Sequence, residues 1–415
     1  NSGLIIDCDE KKNALRNLFK NSKVAFIYGA AGTGKSTMIN YISSLFKDKQ
    51  KIFLANTNPA VENLRRKVTA EHAEFVTITK FLSKDVSNDC DILCLDECST
   101  ISNRDMVRVL QRAQCKLLVL VGDIYQIESI LFGNWFNIAY KVMPKDSVAE
   151  LTRPHRTTVQ GLIEVWNKVR EITEDRLEFI TRNGLSSTLD ESIFSRTEED
   201  EIVLCLNYDG IYGINNINKF LQSNNVNPSI NWGVLSYKVG DPVLFNESNR
   251  FAPLVYNNLK GKILQIEEEE DCIYFTIEVY TVLNELDVIG FDLELKESVT
   301  DETSVIRFKV GRGGDGNDDN DNVENVVPFQ VAYAISIHKA QGLEYESVKV
   351  VITSEIEEMV SHNIFYTAIT RAKSKLKIYW SSETEKRILE NMKVQFNDKD
   401  YQLFKAKYKE ALLKS

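Results

Sequence analysis

The chain has 415 residues, with 50 Lys plus Arg against 60 Asp plus Glu and a formal net charge of −10. At roughly 150 residues per domain, this length predicts about two to four domains. A hydrophobic content of 43% and a charged content of 27% are typical of an ordinary globular protein. The acidic balance excludes a histone-like charge blanket but leaves room for a local basic groove.

Targeting signals and disulfides are not indicated by the sequence. No apolar run approaches the ~18 residues of a membrane span, and the first residues show no secretory pattern, so we expect a cytoplasmic protein without membrane contact. Seven scattered cysteines, an odd number, indicate reduced thiols. The chain does not begin with Met. This start leaves open whether the chain is a fragment of a longer protein, with a missing N-terminal domain or a protein partner.

The first third of the chain alternates apolar strands with amphipathic helices. Strands are predicted at 24–28, 51–55, 91–95 and 115–121, and helices at 36–46 and 59–69. Alternation at this spacing predicts βαβ units, which build a parallel sheet with helices on both faces.

The later pattern predicts a second α/β block with an inserted β module. A helix at 159–172, a strand at 201–206 and a helix at 211–223 are followed by β-forming residues with alternation at 272–280 and 304–310. Residues 311–322 are acidic and of low complexity, which indicates a flexible solvated loop. The predicted domains are 1–148 and 149–236 (two α/β blocks), 237–328 (β module), 329–383 (rest of the second block) and 384–415 (helical tail).

Residues Gly29 to Ser36 fit G-x-x-x-x-G-K-[ST] between a strand and a helix, the context that a P-loop needs. Glycines let backbone N–H groups curl around phosphate oxygens, and the helix N-terminus adds positive potential. Lys35 is expected to place a cation on the β- and γ-phosphates, and Ser36 to reach Mg²⁺. The loop therefore predicts a nucleoside polyphosphate with Mg²⁺ as the ligand.

A second element completes this chemistry. The strand ending in Asp96 and Glu97 supplies one carboxylate for Mg²⁺ and another to polarise the attacking water. The spacing of Cys90, Cys94 and Cys98 resembles a metal site, but Cys94 lies within the strand and no histidine is near, which favours buried thiols.

Six further segments, in their order and spacing, give the chain a specific resemblance. It resembles a superfamily 1 helicase of the RecD/Dda-like branch. The segments that carry the resemblance are Leu54–Val61, Thr77–Leu82, Val121–Ile127, Glu150–Arg156, Ser336–Glu344 and Tyr366–Lys373. The resemblance implies an α/β fold with two RecA-like P-loop domains and an inserted small β-barrel-type module, and ATP hydrolysis in the cleft between those domains.

The resemblance also assigns roles to residues. The expected catalytic set adds Gln126, as a γ-phosphate sensor, and Arg156 and Arg371, from the second block, to Lys35 and Glu97. Cations around the developing charge are what phosphoryl transfer needs. The residues expected to bind the nucleotide are Gly29, Ala30, Ala31, Gly32, Thr33, Gly34, Lys35, Ser36, Thr37, His155, Gly342 and Glu344; those expected to bind the metal are Ser36 and Asp96.

Nucleic acid is expected to lie across both α/β blocks. Short or cationic side chains suit phosphate oxygens, and aromatic side chains suit stacking on bases, although a core position for the aromatic pair is an equal alternative. The candidates are Thr57, Asn58, Thr79, Lys80, Trp135, Phe136, Asn207, Ser336, His338 and Lys339.

The sequence departs from these relatives at three places. Lys11 takes the place of a Gln that reads adenine, and His155 that of a Tyr that stacks on the base, so phosphate recognition is expected to be stronger than base recognition. Residues 83–90 are too few for a strand-splitting pin. A substitute wedge is expected, if anywhere, in the β module, with Phe251 or Tyr256 as first candidates.

These expectations define a function and two rivals. The prediction is an ATP-dependent translocase or helicase on single-stranded DNA, with 5′→3′ movement implied by the resemblance. A viral-type superfamily 1 RNA helicase and a non-translocating NTPase switch stimulated by nucleic acid are the alternatives.

Overall fold

The computed structural model describes most of the chain and divides into two compact units. The first unit contains residues 1–183, 358–374 and 386–415. The second unit contains residues 184–357 and 375–385. No helix within the described ranges is long and apolar enough to span a membrane. The described residues are 9–18, 23–83, 88–126, 134–153, 155–246, 250–252, 254–298, 300–312, 325–393 and 398–414.

The first unit begins with alternating helices and strands. Its elements are α1 (Asp9–Leu18), β1 (Val24–Gly29), α2 (Lys35–Leu45), β2 (Lys51–Ala55), α3 (Asn58–Lys67), β3 (Ala73–Thr77), α4 (Ile78–Leu82), β4 (Asp89–Leu95), α5 (Asn103–Arg112), β5 (Gln114–Gly122), α6 (Trp135–Val142), β6 (Val148–Leu151), α7 (Gln160–Glu171) and α8 (Arg176–Arg182). The strands form one parallel sheet in the order β3-β2-β4-β5-β1-β6. The predicted parallel α/β block is confirmed.

Apolar side chains cover both faces of this sheet. One cluster joins strand residues to α2 and α3, and the other joins them to α4, α5 and α6. Even Lys51, which is 2% exposed in the all-buried strand β2, keeps its ammonium hydrogen-bonded to the carbonyl oxygens of Lys47, Lys49 and Glu71. A buried sheet with both faces covered is the physical reason for its near-continuous apolar strands.

The predicted boundary at 148/149 differs from the observed sheet. Strand β6 pairs with β1 through Phe26↔Val148 and Gly29↔Leu151, so the strand that follows the predicted boundary belongs to the first sheet. The first unit also continues to Asn183. Sequence reasoning missed this because a four-residue edge strand carries little periodicity.

The second part of the chain contains a smaller sheet. Its elements are β7 (Ser186–Ser187), β8 (Glu201–Cys205), α9 (Ile214–Ser223), β9 (Ser229–Trp232), β10 (Leu235–Lys238), β11 (Pro242–Phe245), β12 (Lys260–Glu268), β13 (Cys272–Val279), β14 (Glu294–Lys296), β15 (Ser304–Gly311), β16 (Phe329–Val331), β17 (Ala334–Ser336), β18 (Tyr345–Val351), α10 (His362–Ile369), β19 (Ala372–Tyr379), α11 (Ser382–Asn391) and α12 (Asp398–Lys414). Strands β17-β8-β18-β19-β7 form a five-stranded sheet in which β8 runs parallel to β17 and β18. The second predicted α/β sheet is therefore present.

The predicted β module is a six-stranded antiparallel sheet. Its order is β14-β15-β13-β12-β11-β16, and β13 alternates half-buried and buried side chains along its length. The described pairings run from β14 to β16, and none of them joins these two edge strands. Phe251 and Tyr256, the first wedge candidates, are 0% and 5% exposed and belong to the core of this module. Both were wrong choices, because a ring enclosed by its own core cannot reach a duplex.

Two predictions fall partly outside the described residues. The acidic loop is described only at Gly311 and Arg312, and the short connection between α4 and β4 is described only at Ser83 and Asn88. The helical tail is confirmed as α11 and α12.

Candidate active site

The loop between β1 and α2 has the conformation that its glycines permit. Gly32 and Gly34 have φ of 75° and 80°, in the left-handed region, and Gly34 caps the N-terminus of α2. An added Cβ at Gly29 would lie 2.5 Å from the Leu151 carbonyl oxygen. Because side chains rarely adopt or fit these positions, the loop exposes backbone N–H groups to a phosphate.

Lys35 is positioned by the loop itself. Its Nζ donates to the carbonyl oxygens of Gly29 at 2.8 Å and Ala30 at 2.9 Å, and lies 3.9 Å from Asp123 Oδ2. Burial lowers the pKa of this ammonium, and the nearby carboxylates of Asp123, Asp96 and Glu97 oppose that shift. The cation is therefore held at the loop by backbone oxygens and by carboxylates.

Asp96 and Glu97 follow the carboxyl end of β4. Glu97 has a left-handed φ of 52°, and its N–H donates to Asp96 Oδ1 at 2.9 Å. Burial and then the charge of Asp96 raise the pKa of Glu97 to about 7, against the opposing charges of Arg371 and Lys35. Burial also raises the pKa of Asp96. A strained backbone and a shifted pKa at one residue indicate a functional position.

Asp123 is a site residue that the sequence analysis did not single out. It follows β5, is 2% exposed, and its Oδ1 accepts a hydrogen bond from the N–H of Tyr125 at 3.0 Å. Burial raises the pKa of its carboxyl. Strands β4, β5 and β1 are neighbours, so the segments after them meet at one sheet edge. The signal in the sequence is a carboxylate directly after an apolar strand. Gln126, the residue of this segment that the sequence analysis names, is half-buried.

Both predicted arginines lie in the same compact unit as the P-loop. Arg156 Nη1 donates to the Thr370 carbonyl oxygen at 2.6 Å, and an added Cβ at Gly32 would lie 2.5 Å from the Arg156 Cβ. Arg371 is 2% exposed, and its Nε donates to the Thr367 carbonyl oxygen at 2.9 Å. Its charge acts on Glu97 and Asp123. Both arginines fall in the first compact unit, while β19, which begins at Ala372 directly after Arg371, pairs within the second sheet. Their expected origin in the second block stays a prediction.

Tyr366 is a second residue without an earlier assignment. Its hydroxyl accepts a hydrogen bond from the N–H of Ala31 at 3.2 Å, and the side chain is fully buried. This bond connects α10 to the P-loop. Burial raises the pKa of its hydroxyl, which therefore stays protonated.

The remaining predicted nucleotide residues divide between the units. Thr33 is buried with its Oγ1 donating to Ala30 at 2.9 Å, and Ser36 and Thr37 are half-buried in the first turn of α2. The backbone N–H of His155 donates to the Gly32 carbonyl oxygen at 2.5 Å. Gly342 and Glu344 lie in the second unit, where the Glu344 carbonyl oxygen accepts from Lys260 Nζ at 3.2 Å. Their contact with a nucleotide stays a prediction.

The metal prediction agrees with the donor chemistry. Magnesium in such sites takes one or two protein oxygens, and phosphates and waters complete its coordination. A hydroxyl from Ser36 and a carboxylate from Asp96 are the donor types that suit it. Cys90, Cys94 and Cys98 are buried free thiols, as expected, and the six described cysteines are all free.

The nucleic-acid candidates of the first unit lie at a carboxyl edge of the sheet. Asn58, Thr79 and Lys80 are exposed just after β2 and β3, whose last residues Ala55 and Thr77 are paired. Thr57 is exposed but also caps α3 by accepting from the Ala60 N–H at 3.4 Å.

The aromatic pair belongs mainly to the core. Phe136 is fully buried and stacks on Phe26 with ring centroids 4.4 Å apart, so the prediction that it stacks on bases is wrong. Trp135 is half-buried, and its Nε1 donates to the Ile101 carbonyl oxygen at 2.9 Å. The equal alternative, core packing, accounts for Phe136.

The candidates of the second unit also share an edge. Cys205 and Ser336 are paired at the ends of β8 and β17, which places Asn207 and His338 beyond the same end of that sheet. Asn207 is half-buried and donates to the Asp209 carbonyl oxygen at 3.0 Å. His338 is exposed.

Two of these candidates are less free to bind DNA. Ser336 is 7% exposed and accepts from the Lys339 N–H at 3.2 Å. The Lys339 ammonium donates to Gln330 Oε1 at 2.8 Å. Their roles stay predictions.

A phosphate-binding loop after β1, with carboxylates after the adjacent strands β5 and β4, defines a P-loop nucleotide-binding protein. The family description "AAA domain" matches residues 8–190, and "UvrD-like helicase C-terminal domain" matches residues 331–379. With the order of motifs described above, these matches make the chain similar to the RecD/Pif1-like branch of the superfamily 1 helicases.

Individual relatives agree over most of the chain. An uncharacterized protein of Methanocaldococcus jannaschii is 24% identical, over 90% of this chain and 38% of its own length. The RecBCD enzyme subunit RecD of Buchnera aphidicola is 23% identical, over 91% of this chain and 76% of its own length. A Bacteroides Pif1 helicase, solved with ADP-AlF3 and single-stranded DNA, shares the fold with a TM-score of 0.56 at 16% identity, covering 97% of both chains.

Proposed function

We propose that this chain is an ATP-dependent motor that moves on single-stranded DNA in the 5′→3′ direction and acts as a helicase. The observation that carries the proposal is the P-loop of the first unit, where Lys35, Asp96, Glu97 and Asp123 meet at one sheet edge beside Arg371. The match to the UvrD-like helicase family model supports a nucleic-acid motor, and the likeness to the Pif1 helicase solved with ADP-AlF3 and single-stranded DNA supports DNA and an adenine nucleotide.

The chain's own residues divide the hydrolysis step between them. The backbone N–H groups of the loop and the Lys35 ammonium bind the phosphates. Glu97, as a carboxylate, accepts a hydrogen bond from the attacking water and takes its proton. Magnesium, when bound to Ser36 and Asp96, supplies positive charge that screens the phosphate oxygens.

Arg371 and Arg156 stabilise the charge that develops on the transferred phosphoryl group. Hydrogen bonds to the carbonyl oxygens of Thr367 and Thr370 hold the two guanidinium groups in place before substrate arrives. Such preorganised donors are effective because they need no reorganisation during the reaction.

DNA binding is proposed at the sheet edges described above. Exposed Asn58, Thr79 and Lys80 of the first unit and His338 of the second suit phosphate oxygens. The antiparallel sheet from β11 to β16 is proposed to be the small barrel-type module of this branch. The free thiols are compatible with the reducing cytoplasm, where we propose the protein acts.

The deciding experiment is steady-state ATPase with and without oligo-dT, followed by displacement of streptavidin from a biotinylated strand end. The motor is expected to show DNA-stimulated turnover and faster displacement from the 3′ end, towards which it moves. Stimulation by oligo-U alone would replace DNA with RNA. Stimulation without displacement would replace the motor with an NTPase switch.

A further inference from the structure

Lys11 is a buried cation beside the P-loop that the hydrolysis steps above do not use. Its side chain is 5% exposed and lies on α1. An added Cβ at Gly34 would lie 2.4 Å from Lys11 Nζ and 3.1 Å from Cε. The ammonium therefore contacts the loop at the residue that caps α2, where phosphates bind.

Helix α1 is fixed relative to the P-loop. Glu10 Oε1 accepts hydrogen bonds from the Thr152 N–H at 2.7 Å and from its Oγ1 at 2.6 Å, directly after β6. Leu15 and Leu18 pack into the core of the first sheet. Because neighbouring residues on α1 are held on both sides, Lys11 loses less conformational freedom on binding a ligand than an exposed lysine does.

The chemistry of this group differs from that of an amide. An ammonium has three donors and no acceptor, whereas a Gln side chain has both. The Watson–Crick edge of adenine presents a donor and an acceptor together, so an amide can match it and an ammonium cannot accept from its amino group. A polyphosphate presents only acceptors, which suit the ammonium donors at this position.

His155 faces the same position of the loop. Its Cδ2 would lie 3.6 Å from a Cβ at Gly34. Burial and the charge of Lys11 lower the pKa of His155, so its imidazole is neutral near neutral pH. Of the two side chains that face Gly34, Lys11 therefore supplies the positive charge.

We propose that Lys11 is a second phosphate-binding cation of the nucleotide site, and that this site selects its substrate by polyphosphate rather than by base. The proposal rests on the nucleotide hydrolysis proposed above and deepens it. Its consequence is broad use of nucleoside triphosphates: kcat/KM for ATP, GTP, CTP and UTP should agree within ~10-fold, since the Lys11 ammonium cannot accept a hydrogen bond from the base edge.

The test compares a ligand with a base and a ligand without one. Calorimetry with Mg²⁺ measures Kd for ADP and for inorganic pyrophosphate on the wild-type chain, Lys11→Gln and Lys12→Gln. Lys12 is the matched control, because it is the next residue of α1, is 44% exposed and pairs with Asp9 at 3.9 Å. Loss of one charged hydrogen bond should weaken both ligands about 10-fold in Lys11→Gln. Lys12→Gln should bind both like the wild type.

Other results would overturn the proposal. Weaker ADP binding with unchanged pyrophosphate binding in Lys11→Gln would place Lys11 at the base or sugar. Unchanged binding of both would make it a packing residue of α1. Circular dichroism checks that each variant is folded. Lys11→Arg, which keeps the positive charge, should retain pyrophosphate binding within ~3-fold. Equal losses of binding in Lys11→Arg and Lys11→Gln would also refute a contact between the Lys11 charge and the phosphates.

Failure of the proposed hydrolysis would look different. In that case Lys35→Ala would bind pyrophosphate as the wild type does, whatever the result at Lys11. If Lys35→Ala loses binding while Lys11→Gln keeps it, the nucleotide site stands and only the role of Lys11 falls.

Discussion

Replacing Glu97 by Gln should have opposite effects on catalysis and on stability, because both depend on the ionised carboxylate of this residue. The substitution keeps the size of the side chain and removes the carboxylate that takes the proton of water. We expect kcat to fall at least ~10²-fold, the scale of losing one preorganised catalytic group. Binding of ATP should persist, because Lys35 and the loop N–H groups remain.

The same substitution should stabilise the free protein at high pH. The pKa of Glu97 is raised from 4.5 to about 7, so the folded state binds this proton more tightly than the unfolded state. The resulting stabilisation is complete below about pH 4.5 and is lost as the pH rises through about 7. This rise in the pKa of Glu97 corresponds to about 3 kcal/mol of unfolding free energy at most, and to less because the side chain is only half-buried. Glutamine, which has no proton to lose, avoids this loss.

The assays are ATP turnover and denaturant unfolding at about pH 5 and pH 8. Glu97→Gln should be more stable than the wild type by about 1–3 kcal/mol at the higher pH and nearly equal at the lower pH. Glu74→Gln, at an exposed position of β3, is the matched control and should change neither quantity. In the wild type, kcat/KM should fall about tenfold per pH unit below pH 7. Near-normal turnover by folded Glu97→Gln would refute the site assignment, and equal stabilities at pH 8 would refute the burial argument.

Four further predictions concern other parts of the chain. Arg371→Ala should reduce ATP hydrolysis at saturating DNA more than it reduces ATP binding. Arg371→Lys should restore little hydrolysis, because an ammonium is a point charge and lacks the planar guanidinium fork. Wild-type turnover by Arg371→Ala would contradict this role. Phe136→Ala should destabilise the first unit by about 3–5 kcal/mol in denaturant unfolding, since it leaves a cavity in the core, while Val234→Ser, at a fully exposed position, should cost little. The affinity for single-stranded DNA should fall with salt, with a slope of about −0.7 per neutralised phosphate in a plot of log affinity against log salt concentration. Deletion of the acidic segment 313–322 should not weaken binding. An affinity that does not depend on salt would favour the non-translocating NTPase switch. Stopped-flow unwinding of a 40-base-pair duplex should be weak, because each base-pair step holds about 1.4 kcal/mol of stacking and residues 83–90 are too few for a strand-splitting pin. Efficient unwinding would refute this. Its loss in Leu286→Ser, at an 80% exposed position of the β module, but not in Val234→Ser would locate the wedge.

Local patterns determined the first α/β block and the phosphate loop. The strands at 24–28, 51–55 and 91–95 and the helices between them appear at nearly the predicted places, because sheets covered on both faces require continuous apolar runs. The loop was predictable because its glycines have a conformational reason to be there: Gly32 and Gly34 adopt positive φ.

Tertiary structure alone decided which distant segments complete the site. Only the fold shows that residues 358–374, with Arg371, group with the first compact unit, whereas the strand that follows them belongs to the second sheet. For Phe136 the sequence favours base stacking and core packing equally, and only the structure places its ring on Phe26 in the core. The sequence offers a signal for each of Asp123, a carboxylate after an apolar strand, and Lys11, in the place of a Gln. Their positions at the site depend on the fold, because strand order places Asp123 and the docking of α1 on β6 places Lys11. Periodicity reports which face of an element is buried, whereas the partner that buries it depends on contacts between residues far apart in the chain.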